Sequence, residues 1–150
     1  MITAKAQLTQ PLRGERQFVA STGSEHQFLP DDAAGGMGPK PIELVATALA
    51  RSTAFEIVTV LRQKYNQRVK KYEVRGAAEQ AERTPQVFTT VRIRYVIAGF
   101  EIDSAAIEQA ILLSEEEYCS AGAMVKQTAT LKPVYEIVEE ETARSRPTAA

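Results

Sequence analysis

"PIELVATALARSTAFEIVTVLRQKY", residues 41–65, decides how the rest of the chain can be arranged. Pro41 suits a first helical turn, because its missing N–H would have had no intrahelical partner. Nothing from Ile42 to Tyr65 breaks a helix. At about 100° per residue, Leu44, Val45, Leu49, Phe55, Ile57, Val58, Val60 and Leu61 spread around most of the circumference. A helix apolar on nearly every side is usually buried on nearly every side. One small domain can bury such a helix, and enclosure by a second subunit makes that burial easier.

The flanking segments read as strands. Upstream, "ITAKAQLT" (2–9) sets Ile2, Ala4, Ala6 and Leu8 against Thr3, Lys5, Gln7 and Thr9, the period of a half-buried strand. "QPLRGE" (10–15) supplies a turn, "RQFVAST" (16–22) a returning strand, and "GSEHQFLP" (23–30) a third short one. "PDDAAGGMGPKP" (30–41) is a loop long enough to suggest a functional or subunit-contacting segment. Downstream, "VKKYEVRGAAEQ" (69–80) and "QVFTTVRIRYVIAG" (86–99) alternate on either side of "ERTP" and predict a long hairpin. Asp103 is placed as the N-cap of a second helix, with Ile102 as its staple residue. Ile107, Ala110, Ile111 and Ser114 keep helical spacing, and "EEE" (115–117) falls on the wet side. "SAGAMVKQ" (120–127) suits a short third helix and "TATLKPVYEIVEE" (128–140) a closing strand. Strands and helices are segregated rather than regularly alternating, which argues an α+β class. The expected organisation is a single domain over residues 1–140 with a mobile tail at 141–150.

Composition narrows the function. The 150 residues are 44% apolar and 25% charged with a formal net charge of −1, so no global field recruits nucleic acid or an anionic membrane. One cysteine and one histidine exclude a disulfide framework and make a protein-bound transition metal improbable. No phosphate-loop, dinucleotide or zinc-protease motif occurs, so no cofactor is expected. The first residues lack a secretory pattern, and Glu43, Arg51 and Glu56 argue against membrane insertion of the apolar helix. A cytoplasmic protein is the expectation.

The succession of three segments resembles the OsmC/Ohr superfamily of osmotically inducible and organic-hydroperoxide-resistance proteins. They are "GMGPKPIELVATALARSTAFEIVTVLRQK" (36–64), the hairpin ending "FTTVRIRYVIAG" (88–99), and "AAIEQAILLSEEEYCSAGAMV" (105–125) with its Tyr-Cys-Ser signature. "VYEIVEE" (134–140) is similar to the family's last strand. The resemblance implies an α+β fold with antiparallel sheets wrapped around a long central helix in an intertwined homodimer. It also implies a thiol-dependent peroxidase for organic hydroperoxides, active in oxidative defence. In that chemistry a cysteine on the central helix attacks the peroxide, and a second cysteine, in the Tyr-Cys-Ser segment, resolves the sulfenic acid as a disulfide.

Two of the implied site positions are changed in this chain. The attacking cysteine falls on Ser52 of "ALARS" (48–52), and Cys119 matches the resolving one. The family's glutamate position falls on Ile42, with Glu43 one residue on and rotated by about 100°. The resemblance also implies an arginine from the N-terminal turn, for which Arg13 and Arg16 of "LRGER" (12–16) are the candidates, and the sequence does not choose between them.

Each singled-out residue has an ordinary structural alternative. Ser52 cannot hold a transferred oxygen as a thiolate can, so a small polar filler is its plain reading. Cys119 could work alone, its thiol pKa lowered by helix N–H groups, with an external thiol as reductant, or it could be inert packing. Glu56, one turn beyond Ser52 on the same face, needs a partner: a shared polar pocket or an arginine across the dimer. His26 reads as a solvated strand residue. Met37, Met124 and Phe55 read as core or as the lining of an alkyl channel. Two functions therefore stand at this point. One is an OsmC-like hydroperoxide reductase impaired by the loss of its first cysteine. The other is a non-catalytic dimer with an apolar pocket, either binding a small hydrophobic ligand or serving a regulatory role.

Overall fold

The alternation at the start of the chain becomes β1, Ala4–Thr9, which pairs antiparallel with β2, Gln17–Thr22, and β2 in turn with β3, Gln27–Phe28. Register runs from Ala4 opposite Thr22 to Thr9 opposite Gln17. His26 stands in the tight turn before β3, with its Nδ1 3.0 Å from Ser24 Oγ, so it is an exposed turn residue. The period-two pattern located the strand but not its cover: the described side chains of β1 are exposed. Such a pattern fixes which face is apolar, and not which chain covers it.

The computed structural model describes residues 1–9, 17–28 and 38–140, and the chain divides into two compact units, 1–47 and 48–150. Helix α1, Pro41–Gln63, begins in the first unit and continues in the second. At its start the Glu43 carboxylate accepts the Lys40 backbone N–H at 2.9 Å, the reach-back half of a capping box. Beyond its end Asn66 takes a left-handed conformation (φ 51°), which a short polar side chain tolerates.

In the second unit, β4, Arg68–Gln80, and β5, Phe88–Phe100, form the expected antiparallel hairpin. Val91, Ile93, Tyr95 and Ile97 of β5 are buried, whereas Arg92 and Arg94 point outward to Glu79 and Glu136. Such exposed pairs contribute little, so the buried face holds the strand. Helix α2, Ser104–Leu113, is capped by Asp103, whose Oδ1 accepts the Ala105 N–H at 3.0 Å. A π-helical turn, Ser114–Tyr118, and a short helix α3, Ser120–Val125, follow. The last strand, β6, Thr130–Glu139, lies parallel to β5, giving the order β4-β5-β6.

That parallel strand corrects the expectation of antiparallel sheets: the sheet is mixed. Parallel neighbours need a crossover of a dozen residues or more, and α2, the π turn and α3 supply it. Pro133 is tolerated because β6 is an edge strand.

Close approach occurs where β4 and β5 begin to separate. A Cβ on Gly99 would stand 2.2 Å from the Arg68 carbonyl oxygen and 2.8 Å from Ile102 Cδ1. Gly99→Ala is expected to destabilise the fold by about 1–3 kcal/mol, read as a lowered urea midpoint. An unchanged midpoint would show that the strand ends relax freely.

Two phenols are buried behind the hairpin. Burial is the main force pushing the Tyr95 phenol up to about 12; Glu115, Cys119 and Glu56 add to the rise, and a hydrogen bond with Thr53 opposes it. Burial, then neighbouring Tyr95, raises Tyr72 as well, and its hydroxyl has no hydrogen-bond partner among the described residues. A raised folded-state value means the folded chain holds its proton more tightly. That contribution is complete below the unfolded value and is lost as pH rises through the folded one. Stability should therefore be level up to pH 10 and fall toward pH 12, by roughly 1.4 kcal/mol per pH unit for each such phenol. Urea titrations across that range should show a shallower fall in Tyr95→Phe. An equal fall in both proteins would remove Tyr95 from the account.

Candidate active site

The site lies within the second unit and starts from two residues of α1 one turn apart. Ser52 and Glu56 share a helix face, and the Ser52 hydroxyl donates to Glu56 Oε1 at 3.3 Å. Between them in sequence, Thr53 is buried and turns its hydroxyl back to the Leu49 and Ala50 carbonyls, at 3.2 and 3.1 Å. That leaves Ser52 to present the free hydroxyl. A half-buried carboxylate needs hydrogen bonds on both oxygens. The second comes from Ser114, fully buried at the start of the π turn, which donates to Glu56 Oε2 at 3.0 Å.

The π turn also sets the thiol. Cys119 N–H returns to the Ser114 carbonyl at 2.8 Å, and Cys119 becomes the N-cap of α3. Its Sγ accepts the Gly122 N–H at 3.2 Å and donates to Ser52 Oγ at 3.5 Å. Only 4% of Cys119 is exposed. A Cβ on Gly122 would come within 3.2 Å of the sulfur, so glycine lets the turn close this tightly. Glu115 is the inward member of "EEE": its Oε2 lies 3.5 Å from Lys126 Nζ, and its Oε1 is buried without a partner among the described residues. Glu116 and Glu117 are exposed.

Beside this network an open groove of about 440 Å³ is lined by Phe55, Glu56, Val60, Lys64 and Tyr118, among others. Phe55 is 57% exposed and Met124 69%, so neither is core in this chain. Arg51 stacks its guanidinium on the Phe55 ring at 5.2 Å rather than meeting Glu56.

Ser52, Glu56 and Cys119 are thus brought together. Glu43, in the first unit, is occupied at the helix cap. Arg13, Arg16 and Met37 lie outside the described residues. Ser114 and Gly122 complete the site without having been singled out as site residues. The signal for Ser114 was a polar side chain on the apolar stripe of α2, and for Gly122 a small residue three positions after the thiol. Among the described residues no group of three or more His, Cys, Asp or Glu could hold a metal.

Known proteins give this geometry its context. The family described as OsmC-like protein matches residues 33–133. Protein YhfA of Escherichia coli K12 is 33% identical over 121 residues, 81% of this chain and 90% of that protein. A hypothetical protein from Aquifex aeolicus VF5 has a TM-score of 0.79 at 26% identity, covering 94% of this chain and 98% of its own. An organic hydroperoxide resistance protein OsmC from Legionella pneumophila shares the fold with a TM-score of 0.66 at 16% identity, over 90% and 96% of the two chains. With its α+β architecture and a match to about two-thirds of its length, this chain belongs to the OsmC-like protein family.

Proposed function

We propose that this protein is a cytoplasmic OsmC-type homodimer that serves in defence against organic hydroperoxides, with Cys119 as its reacting thiol. One observation carries the reading: the only cysteine of the chain hydrogen-bonds to Ser52, which occupies the attacking-cysteine position that the family resemblance implies. In the step envisaged, the Cys119 thiolate attacks the distal oxygen of a hydroperoxide. The S–O bond forms, the O–O bond breaks, and the alkoxide leaves with a proton as the alcohol. An external thiol then attacks the sulfenic acid, releases water and forms a mixed disulfide, which a second external thiol reduces. The groove bounded by Phe55, Val60 and Tyr118 is wide enough and apolar enough for an alkyl chain.

The dimer is supported by the exterior of α1. Val45 and Phe55 are 45% and 57% exposed on a helix long and apolar enough, by composition, to cross a membrane. A second copy covers such a surface in water without a bilayer. A second function, binding of an apolar ligand without turnover, is favoured by the 4% exposure of Cys119 beside an open groove.

Reduced protein is expected to consume cumene hydroperoxide when dithiothreitol is supplied and, with peroxide but no reductant, to show one added oxygen at Cys119 by mass spectrometry. Cys119→Ala should lose both signals. No consumption by either protein would leave only the ligand-binding reading, and consumption by Cys119→Ala equal to that of the natural protein would remove Cys119 as the reacting thiol. Ser52→Cys tests the geometry separately. A disulfide between the new thiol and Cys119 is expected, because the present Sγ–Oγ separation is 3.5 Å and side chains so placed are near disulfide reach. Two free thiols persisting after peroxide treatment would mean the pair is held apart. Sedimentation at micromolar concentration should give a dimer, and a monomer there would remove the shared-helix explanation.

A further inference from the structure

In place of a second thiol, the site contains a chain of hydrogen bonds with one direction. The Cys119 thiol donates to Ser52, and the Ser52 hydroxyl donates to Glu56 Oε1. Ser114 holds the other carboxylate oxygen, so Oε1 is left facing Ser52. Glu56 also lines the groove, which gives the far end of the chain access to a bound molecule. A hydroxyl is both donor and acceptor. It can take a proton from sulfur while releasing its own to the carboxylate.

We propose that Ser52 carries the Cys119 proton to Glu56, so that Glu56, acting through Ser52, is the base that activates the thiol. This deepens the function proposed above and rests on its reading of Cys119 as the reacting thiol. The Cys119 S–H bond breaks as a new Ser52 O–H bond forms, and the original Ser52 O–H bond breaks as Glu56 Oε1–H forms. The sulfur electron pair then attacks the distal peroxide oxygen. The O–O bond breaks, and the departing alkoxide takes the proton held by Glu56. Thiol and hydroperoxide become sulfenic acid and alcohol, and the carboxylate is regenerated. On this account the serine is a working member of the site.

Alkylation of Cys119 by iodoacetamide, followed by mass spectrometry on the folded full chain, tests the relay without any peroxide. Ser52→Ala is expected to slow alkylation on the order of 100-fold, whereas Ser52→Thr, which keeps the hydroxyl, should stay within roughly threefold of the natural protein. Glu56→Ala should be slowed as Ser52→Ala is. Added formate should restore Glu56→Ala by entering the groove, and should leave Ser52→Ala slow, because a merely structural role for Glu56 gives no such rescue. If Glu56→Ala does not fold, Glu56→Gln decides: it keeps the shape, accepts from one serine and donates its amide N–H to the other, but is a poor base, and should also be slow. Alkylation of Ser52→Ala or Glu56→Gln at the natural rate overturns the relay, as does failure of formate to restore a folded Glu56→Ala. A relay intact by alkylation, in a protein that consumes no cumene hydroperoxide, overturns the peroxidase reading alone.

Discussion

A carboxylate set into an apolar helix is the constraint around which the second unit is organised. Left without partners, Glu56 would cost several kcal/mol. Its two oxygens are met by two serines, one a helical turn away and one 58 residues further along the chain. The near bond is available to any helix with this spacing. The distant one ties α1 to the end of α2, and it fixes where the chain must turn next. Because Ser114 faces inward to reach Glu56, the π turn that it opens delivers Cys119 back to Ser52.

The sheet supports the same arrangement from below. β5 is the central strand, and its buried side carries Tyr95, whose phenol lies close enough to Glu115, Cys119 and Glu56 to be affected by all three. Placing β6 parallel to β5 forces the intervening chain across the sheet instead of straight back in a hairpin. That crossover contains α2, the π turn and α3, so the topology that ends the sheet also contains half of the site. Gly122 then allows α3 to start within contact distance of the sulfur.

Much of this was legible in the sequence because the relevant signals are local. The span of α1, the hairpin of β4 and β5 and the Asp103 cap follow from periodicity, turn residues and cap chemistry. The proximity of Ser52 and Glu56 follows from helical spacing. What could not be read depends on contacts distant in sequence. Nothing in "TATLKPVYEIVEE" says that its neighbour runs parallel, since alternation is the same in either direction. The π turn was hidden because "EEEY" continues a helical pattern while its hydrogen bonds shift by one residue. Glu43 is instructive in the opposite sense. Its place three residues after Lys40 matches the far member of a capping box, and its carboxylate binds the Lys40 N–H.

On the function proposed above, a hydroxyl rather than a second thiol beside Cys119 decides what the sulfur requires. A sulfenic acid can condense with a thiol but not with a hydroxyl, so Ser52 can hold and steer Cys119 without resolving it. The chain has no other cysteine. On that function, recovery of an oxidised Cys119 comes from an external thiol, while burial protects it against further oxidation. These demands oppose each other, because the 4% exposure that limits peroxide also limits the reductant. The groove lies beside the network, and its wall includes Glu56, bonded to Ser52, and Tyr118, next to the thiol in sequence. A small thiol suits a sulfur so buried better than a cysteine carried on the surface of another protein. On the proposed chemistry, a serine at position 52 thus leaves a site that depends on its solvent for each return to the reduced state.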